Sequence, residues 1–368
     1  MKKNNRAFDK ENKVMLTHKQ LVMKKFRKHK LARVSIIVLI LLYVLCLGAD
    51  FFAPYGGTTR FSSYASMRPT KVHWFRDGRL TGPFVYGIKS ERNMETLAKE
   101  FVEDTDTVYR VKIFVRGESY RFLGIPMKLR LFGVEDGGLI CLFGTDSLGR
   151  DVFSRTLYGG RLSLSIGLVG VFISMSIGLT LGSIAGYYGG TADAIIMRLV
   201  DLFMSLPTTP LWLGLAAAVP TNWSVVKMYF AMSIILSFFG WTNIARTVRG
   251  KFLSLREEDF ILASRMAGAT DRHIITSHMI PSFVSYIIVS LTLSIPRMII
   301  GETTLSFLGL GLQAPAVSWG VLLKDAQNFR SISGSPWLLL PGILVILAVL
   351  AFNFVGDGLR DAADPYSH

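Results

Sequence analysis

The chain has 368 residues, of which 50% are hydrophobic, and its formal net charge is +15. This hydrophobic fraction excludes an ordinary soluble protein. Because the basic residues concentrate in the first 33 positions, beside an apolar run, they suit an anionic membrane surface better than nucleic acid.

The two cysteines, Cys46 and Cys141, carry little functional information. They are too few for a disulfide framework and for a zinc or iron–sulfur pattern. Nothing in their placement indicates a redox role.

The N-terminal segment, residues 1–32, is a basic tail. Lysines and arginines between positions 24 and 33 directly precede the first apolar run, which predicts a cytoplasmic N-terminus. The run covers 33–53 and is longer than the apolar core of a signal peptide, and no small-residue cleavage site follows it before Pro54. It is therefore interpreted as a retained first transmembrane helix.

Six stretches contain the roughly 20 apolar residues that a membrane-spanning helix needs. Because a span must satisfy its own backbone hydrogen bonds in lipid, they predict an all-α polytopic membrane protein with six transmembrane helices. From a cytoplasmic N-terminus, six spans return the C-terminal tail, 357–368, to the cytoplasm and place the connection after the fourth span there too. The stretches are 33–52, 162–187, 194–219, 226–248, 283–305 and 337–356.

A long segment, 54–141, separates the first two spans and lies outside the cytoplasm by this count. Long loops translocate largely regardless of charge, so its arginines do not contradict that side. Its aromatic and β-branched residues favour a small α+β extracytoplasmic insertion domain over a disordered linker. The predicted elements are a short helix at 91–103, a hairpin of 108–115 and 120–123 around the turn 116–119, and a strand at 127–134.

The segment 142–161 is interpreted as an extracytoplasmic motif. It ends in a predicted interfacial helix, 152–158, before the second span. Asp146 and Asp151 are placed to cap turns, which favours a scaffolding role over a role in substrate binding.

The five remaining spans, within 162–356, are rich in glycine, serine and alanine. Small residues allow membrane helices to approach closely, and bundle packing explains most of them. Two breaks, 206–210 and 294–297, contain prolines and are predicted to disrupt helical hydrogen bonding, which is tolerated beside neighbouring helices or a water-filled cavity.

Charged residues inside the predicted spans are costly and need an explanation. Arg198 and Asp201 lie three positions apart, which predicts a local ion pair. Pro296, Arg297 and Glu302 predict a place in a translocation path. The alternative for Arg297 and Glu302 is a buried pair that only holds the helices together.

The polar stretch 257–281 follows the fourth span and is predicted to form two short helices around a glycine. Gly268 suits the left-handed conformation that ends a helix, and Thr270 or Asp271 can cap the next turn. Pro281 suits the first turn of the segment that follows. Small residues on a helix face invite close contact with another protein; the alternative is a solvated loop. The predicted face consists of Phe260, Ala263, Ser264 and Ala267.

Several catalytic signatures do not occur in this sequence. It contains no GxxxxGK[ST] phosphate-binding loop, HExxH, GxSxG or clustered Cys/His set, which argues against a P-loop ATPase, a hydrolase and a metal site within the chain. His273 and His278 lie five positions apart, off the one-turn spacing of a helical ligand pair. Any energy for transport is therefore expected to come from a partner.

Five motifs, in order, resemble one family, the integral-membrane permeases of bacterial peptide-import ABC transporters. The resemblance is to the C-type subunit of oligopeptide, dipeptide and nickel importers, and it covers 142–365 nearly continuously and 20–60 loosely. The motifs are LFGTDSLGRDVFSRTLYGGR (142–161), GYYGGTADAIIMRLVD (186–201), the stretch 257–281, LSFLGLGLQAPAVSWG (305–320) and GDGLRDAADP (356–365).

The resemblance implies a permease core of the type I ABC importer kind, in the bacterial plasma membrane with both termini cytoplasmic. The implied partners are a second homologous permease, two ATP-binding cassette subunits, an extracytoplasmic solute-binding protein and membrane lipid, but no nucleic acid. It implies no cofactor on this chain, with ATP and Mg on partner subunits, and no enzymatic activity of its own.

In such permeases the stretch corresponding to 257–281 is the EAA loop, a coupling helix that docks on the ATPase. The EAA positions align with Leu262, Ala263 and Ser264, so the glutamate is absent here, and Asp259, one turn earlier, is the nearest acidic substitute. The implied coupling residues are Asp259, Phe260, Ala263, Ser264, Arg265, Gly268, Ala269 and Pro281.

Two other functional classes stay open. A stand-alone secondary transporter or channel would need an ion or proton site, for which Arg297 and Glu302 are the candidates. A structural scaffold or receptor would instead rely on the insertion domain. The substrate is left open among dipeptides, longer peptides, nickel chelates and some sugars, because in the family it resembles a separate binding protein largely selects it.

Overall fold

The computed structural model describes residues 18–76, 78–92, 94, 99–122, 125–135, 137–220, 222–327 and 329–363. They form a bundle of helices with one antiparallel sheet inserted between the first span and the rest. The helices before residue 256 are α1 (His18–Lys28), α2 (Lys30–Leu47), α3 (Ala49–Phe52), α4 (Val152–Tyr188), α5 (Gly190–Ser205), α6 (Thr208–Ala217) and α7 (Val225–Leu255). Those after it are α8 (Asp259–Met266), α9 (Asp271–His273), α10 (Ile280–Ser282), α11 (Val284–Phe307), α12 (Trp319–Lys324), α13 (Phe329–Gly334) and α14 (Leu340–Ala363).

Within the described ranges, five helical segments are long and apolar enough to cross a membrane, and a bent pair of helices adds up to one more. The bent pair is α5 and α6, which meet at 86°. The bend lies at Leu206 and Pro207, because proline fixes its own φ and disfavours a helical conformation in the residue before it. The break predicted at 206–210 is thus confirmed, and the apolar helices agree with the predicted polytopic membrane fold.

Two predictions about helix continuity are wrong. The interfacial helix predicted at 152–158 is the first part of α4, which runs unbroken from Val152 to Tyr188. Helix α11 continues through Pro296, which is buried, so the predicted break at 294–297 is absent. A proline inside a membrane helix removes one donor, and surrounding helices can hold the helix together across it.

The close contact between α4 and α7 depends on glycines spaced four apart on α4. A side chain at Gly182 would place its Cβ 2.6 Å from the carbonyl oxygen of Ala245, and one at Gly186 would meet the backbone of Arg249 at 2.8 Å. Only glycine allows backbones this close, which is the role of small residues in membrane bundles. The largest apolar core lies beside this contact, among α2, α4, α7, α11 and α14.

The sheet has the strand order β1-β2-β3-β4, with every pair antiparallel. The strand predicted at 127–134 is confirmed, since it lies within the last strand. The strands are β1 (His73–Arg76), β2 (Arg79–Arg92), β3 (Lys99–Phe122) and β4 (Ile125–Val134).

Two other predictions for the insertion are wrong. The hairpin predicted around 116–119 does not form, because β3 is continuous there and its pairing with β4 only shifts register between Arg116 and Tyr120. The helix predicted at 91–103 is strand at both ends: Glu91 and Arg92 end β2, and 99–103 begins β3. Residues 93 and 95–98 lie outside the described ranges.

The sheet packs against one end of the helical bundle. We call this end of the bundle the sheet end. Arg130 of β4 donates a hydrogen bond of 2.7 Å to the carbonyl oxygen of Ala53, directly after α3. The rings of Phe132 and Phe153 lie 6.1 Å apart and join β4 to the start of α4. We call the opposite end of the bundle, where α4 finishes, the far end.

Candidate functional site

The stretch 257–281 lies at the far end and has the predicted two-part form. Helix α8 stops at Gly268, whose φ of +80° is the left-handed conformation expected there. The Thr270 side chain then accepts a hydrogen bond of 3.4 Å from the His273 amide and caps α9. A π-helical turn, Ile274–Met279, and α10 complete the stretch.

Three apolar side chains anchor this stretch to the bundle. Ile261 of α8 and Ile274 and Met279 of the second part are completely buried. They pack in one cluster with Phe252 of α7, whose ring lies 5.8 Å from that of Phe283 in an edge-on arrangement. The stretch is therefore held on its inner side and free on its outer side.

The predicted coupling residues lie mainly on the free outer side. Asp259, Phe260, Ala263, Arg265, Gly268 and Pro281 are exposed, and Ser264 and Ala269 are half-buried. The outer side also carries Met266, which is 89% exposed and which no sequence pattern singled out. Phe260 and Leu262 are exposed apolar residues of the same helix. The roles of all these residues stay predictions.

A second residue that sequence reasoning missed, Tyr187, links this stretch to α4. Its hydroxyl donates a hydrogen bond of 2.7 Å to the Asp271 carboxylate. The Arg265 guanidinium lies over its ring, 5.4 Å from the centroid, where a cation is attracted to the aromatic face. The aromatic pair in the GYYGG motif was the only sequence signal for it.

Two ion pairs connect α5 to α7 near the far end. The Arg249 Nε donates to Asp193 at 2.8 Å, and Arg246 pairs with Asp201. The local pair predicted between Arg198 and Asp201 is therefore wrong, because the partner of Asp201 comes from the neighbouring helix.

The predicted path residues are not brought together. Arg297 is exposed and lines an apolar groove of about 270 Å³ between α6 and α11. Glu302 is 1% exposed and accepts hydrogen bonds from Ser163 at 2.9 Å and from Ser306 at 2.8 Å. The alternative of a buried Arg297–Glu302 pair is wrong, since the partners of Glu302 are serines. The other lining residues of the groove are Thr209, Trp212, Leu213, Ile300, Gly301, Thr304 and Leu305.

At the sheet end, Asp146 is the centre of a buried charge cluster. Its carboxylate pairs with Arg155, and it accepts a hydrogen bond of 2.7 Å from the Arg150 Nε. Arg155 also lies 3.7 Å from Asp325, after α12. The cluster ties the motif 142–161 to the chain near α12, an arrangement suited to the predicted scaffolding role.

Asp151 caps α4 beside this cluster. Its Oδ2 accepts a hydrogen bond of 2.7 Å from the Ser154 amide, as predicted for a capping aspartate. Complete burial raises the pKa of Asp151 to about 6 even though Ser154 favours the charged form. Burial also raises the pKa of the nearby Cys141 thiol, which keeps it protonated and unreactive.

Two family models match parts of this chain. Residues 178–366 match the model described as binding-protein-dependent transport system inner membrane component. Residues 19–69 match the model described as the N-terminal TM domain of oligopeptide transport permease C. Residues 70–177, which include the sheet and Asp146, Arg150 and Arg155 of the charge cluster, lie outside both matches, whereas Asp325 lies within the first.

Relatives agree with these models. The chain is 30% identical over 344 residues to the oligopeptide transport system permease protein OppC of Bacillus subtilis, covering 93% of this chain and 88% of that protein. It is 30% identical over 362 residues to the dipeptide transport system permease protein DppC of the same organism, covering 98% and 90%. It is 42% identical over 224 residues to the OppC of Haemophilus influenzae, covering 61% and 70%.

A solved structure with some likeness to this chain is the MetNI methionine ABC transporter in an inward-facing conformation. The TM-score is 0.44 at 19% sequence identity, covering 57% of this chain and 97% of that one.

Proposed function

The chain belongs to the family of inner membrane components of binding-protein-dependent transport systems, and we propose that it is the permease subunit of an ATP-driven importer for peptides or related solutes. The observation that carries this proposal is the match over 178–366, which includes the whole stretch 257–281 and all spans after it. The family and the apolar helices make the chain a multi-pass inner membrane protein. The family also implies an ATPase and a substrate-binding protein as partners.

We propose that the far end of the bundle is cytoplasmic. Helix α1 packs against the end of α14 through Phe26 and Ala362, so both ends of the described chain lie on this side. The basic residues of α1 and of the segment after α7 lie here too, as expected for a cytoplasmic face. The sheet end then faces the solute-binding protein.

The proposed transporter complex contains this chain, a second homologous permease and two ATP-binding cassette subunits. Because this sequence has no phosphate-binding loop, ATP and Mg belong on those subunits and this chain supplies only the pore and the contact surface. This division also accounts for a chain with no enzymatic role of its own.

The coupling surface is the outer side of α8. Phe260, Ala263 and Met266 present one exposed apolar side chain per turn, while Ile261 on the inner side fixes the helix to the bundle. An ATPase groove that closes on α8 therefore moves the bundle behind it. Coupling in this sense is a difference in contact free energy between two states of the pore.

The translocation path includes the groove of Arg297. A charged side chain on a membrane helix is costly unless it faces water or a protein partner, and within the described residues Arg297 has no acidic partner. Pro296 and Glu302 are buried and hold the shape of α11 from within. A stand-alone transporter would need Arg297 and Glu302 to form one site, which their separation does not favour.

Co-purification of the ATPase tests the coupling surface. The substitutions Ala263→Arg and Gly268→Arg add a bulky charge on the outer side of the stretch and should release the ATPase while the permease stays folded. Ser90→Arg, at an exposed position of β2 at the sheet end, is the matched control and should retain the ATPase. Full, coupled transport by both variants would contradict the assignment.

A further inference from the structure

Strands β3 and β4 form a ribbon with exposed aromatic, aliphatic and basic side chains on its two faces. Arg116 and Leu129 are direct cross-strand partners and so share a face, and Phe114 lies two positions before Arg116 in β3. Phe114 is 60% exposed and Leu129 37% exposed. Arg121 and Lys128 are exposed on the opposite face of the same ribbon, because Lys128 adjoins Leu129 in β4 and Arg121 pairs with Pro126. We call these five residues the ribbon surface.

The cations of the ribbon surface are free within the described part of the chain. Arg116, Arg121 and Lys128 have no acidic partner there, whereas elsewhere in the sheet Lys112 pairs with Glu135 and Lys89 with Asp104, each at 2.8 Å. Three positive charges beside exposed apolar side chains suit a partner that has both anionic and apolar groups.

The ribbon surface lies at the level of the membrane surface. Helix α2 has 18 residues, which at about 1.5 Å per residue is close to the thickness of the hydrocarbon core. Phe51 in α3 follows directly, and its ring lies 6.3 Å from that of Phe114. The ribbon is thus held against the point where the chain leaves the bilayer.

Helix α2, the span below the ribbon, has an exposed apolar side. Its exposed residues include Ile40 and Val44. Phe51 lies just beyond this span, in α3, after the break at Gly48. Phe51 therefore connects the end of the span to Phe114 and the ribbon surface.

Phe114 is also held in an unusual conformation. Its φ is +59°, which costs a bulky residue on the order of 1–3 kcal/mol. This cost is not offset by burial in the chain, because most of the side chain is exposed. A contact with something outside the chain accounts for keeping an aromatic residue there.

We infer that the ribbon surface binds anionic phospholipid headgroups of the leaflet on the sheet side. Arginine pairs with phosphate through two parallel hydrogen bonds, and an aromatic ring is favoured at the interface between headgroups and acyl chains. The inference needs only that the chain spans the membrane, so it is independent of the proposed transport function.

The depth of the ribbon is tested with the full chain in lipid nanodiscs of phosphatidylcholine and phosphatidylglycerol. A fluorophore is attached through Leu129→Cys, with Val102→Cys, 44% exposed on the other half of β3, as the matched control; Cys46 and Cys141 are buried and do not compete. A nitroxide on the phospholipid should quench the label at 129 several-fold more than the label at 102, and aqueous iodide should do the reverse. Equal quenching at both positions overturns the inference.

The choice of anionic lipid is tested by charge removal. The variant Arg116→Gln/Arg121→Gln/Lys128→Gln should lose phosphatidylglycerol affinity, measured by native mass spectrometry, by roughly fivefold per cation removed. The variant Arg68→Gln/Lys71→Gln/Arg79→Gln removes the same charge elsewhere at the sheet end and should leave it unchanged. Equal lipid retention by both variants overturns the inference. So does shielding of position 129 that appears only when the solute-binding protein is added.

Discussion

The Tyr187 hydroxyl donates a hydrogen bond of 2.7 Å to the Asp271 carboxylate, which joins the end of α4 to the segment after Gly268. Because Arg265 lies over the same ring, both halves of the stretch 257–281 touch one side chain of α4. Whatever moves this stretch therefore moves the longest helix of the bundle.

Removing this hydrogen bond should weaken coupling. Tyr187→Phe keeps the ring beneath Arg265 but loses a bond to a charged acceptor, worth about 1.5–3 kcal/mol. We expect roughly tenfold less solute transported per ATP hydrolysed, with the ATPase still bound, measured in proteoliposomes. Asp271→Asn retains an acceptor and should have a smaller effect.

The matched control is Thr276→Val, which removes a hydroxyl that donates to the carbonyl oxygen of Arg272, four residues earlier in the same stretch. It should transport like the unchanged protein. Equal loss in Tyr187→Phe and Thr276→Val would show that any polar change in this stretch matters and would sink the specific role of Tyr187.

Gly268 should resist replacement for conformational reasons alone. Its φ is +80° and nothing lies within 4 Å of the place that a Cβ would occupy, so Gly268→Ala costs about 1 kcal/mol of backbone strain without a clash. We expect faster hydrogen exchange in 257–281. Gly250→Ala, in open space inside α7, should instead be neutral or stabilising by up to about 1 kcal/mol.

Substitutions of Glu302 and Arg297 should have different effects: the first should lower stability, and the second should impair transport. Glu302→Ala leaves the hydroxyls of Ser163 and Ser306 without their acceptor and should destabilise the bundle by about 2–4 kcal/mol, seen as a lower melting temperature in detergent. Arg297→Gln should keep the melting temperature and lose transport. Normal transport by Arg297→Gln would remove this groove from the path.

Deprotonation of Asp151 should lower the free energy of unfolding as pH rises. Its pKa is about 6 in the folded chain and near 3.8 when unfolded, so the folded state holds its proton more tightly. The stabilisation is complete below pH 3.8 and is lost as pH rises through 6, a change of roughly 3 kcal/mol. Asp151→Asn keeps a capping acceptor and should flatten melting temperature between pH 4 and 7.

The control for this titration is Asp106→Asn, at an exposed position of the sheet. It should leave the pH dependence of the melting temperature as it is. If Asp151→Asn retained the full dependence, the buried carboxyl would not be its source.

Sequence predicted those features whose cause is local. A run of apolar residues is enough to predict a span, Pro207 is enough to predict the bend between α5 and α6, and Gly268 is enough to predict the end of α8. The mistaken turn at 116–119 has a distant cause. Glu118 accepts hydrogen bonds from Thr59 at 2.8 Å and from the Gly56 amide at 3.2 Å, so a segment that looks like a turn is held as a bulge in β3.

In the candidate site, too, sequence predicted the local features but not the contacts between distant residues. The small residues of α8 and the loop around Gly268 follow from spacing, but the contact of Tyr187 with Asp271 joins positions 84 residues apart. The break predicted at Pro296 fails for a related reason, because that proline is buried among helices that no local pattern reveals. Contacts between helices that are distant in the chain could not be predicted from a single sequence.

Helix α4 has 37 residues, so at about 1.5 Å per residue it is roughly 55 Å long, well beyond the 30 Å of a hydrocarbon core. Arg155 clamps it near one end and Tyr187 lies at the other. A rigid rod held at the buried Arg155 would move most at its other end. A tilt of about 5° about Arg155 would displace Tyr187, about 48 Å away, by roughly 4 Å, so a small rotation at the buried arginine would become a larger movement of the stretch 257–281.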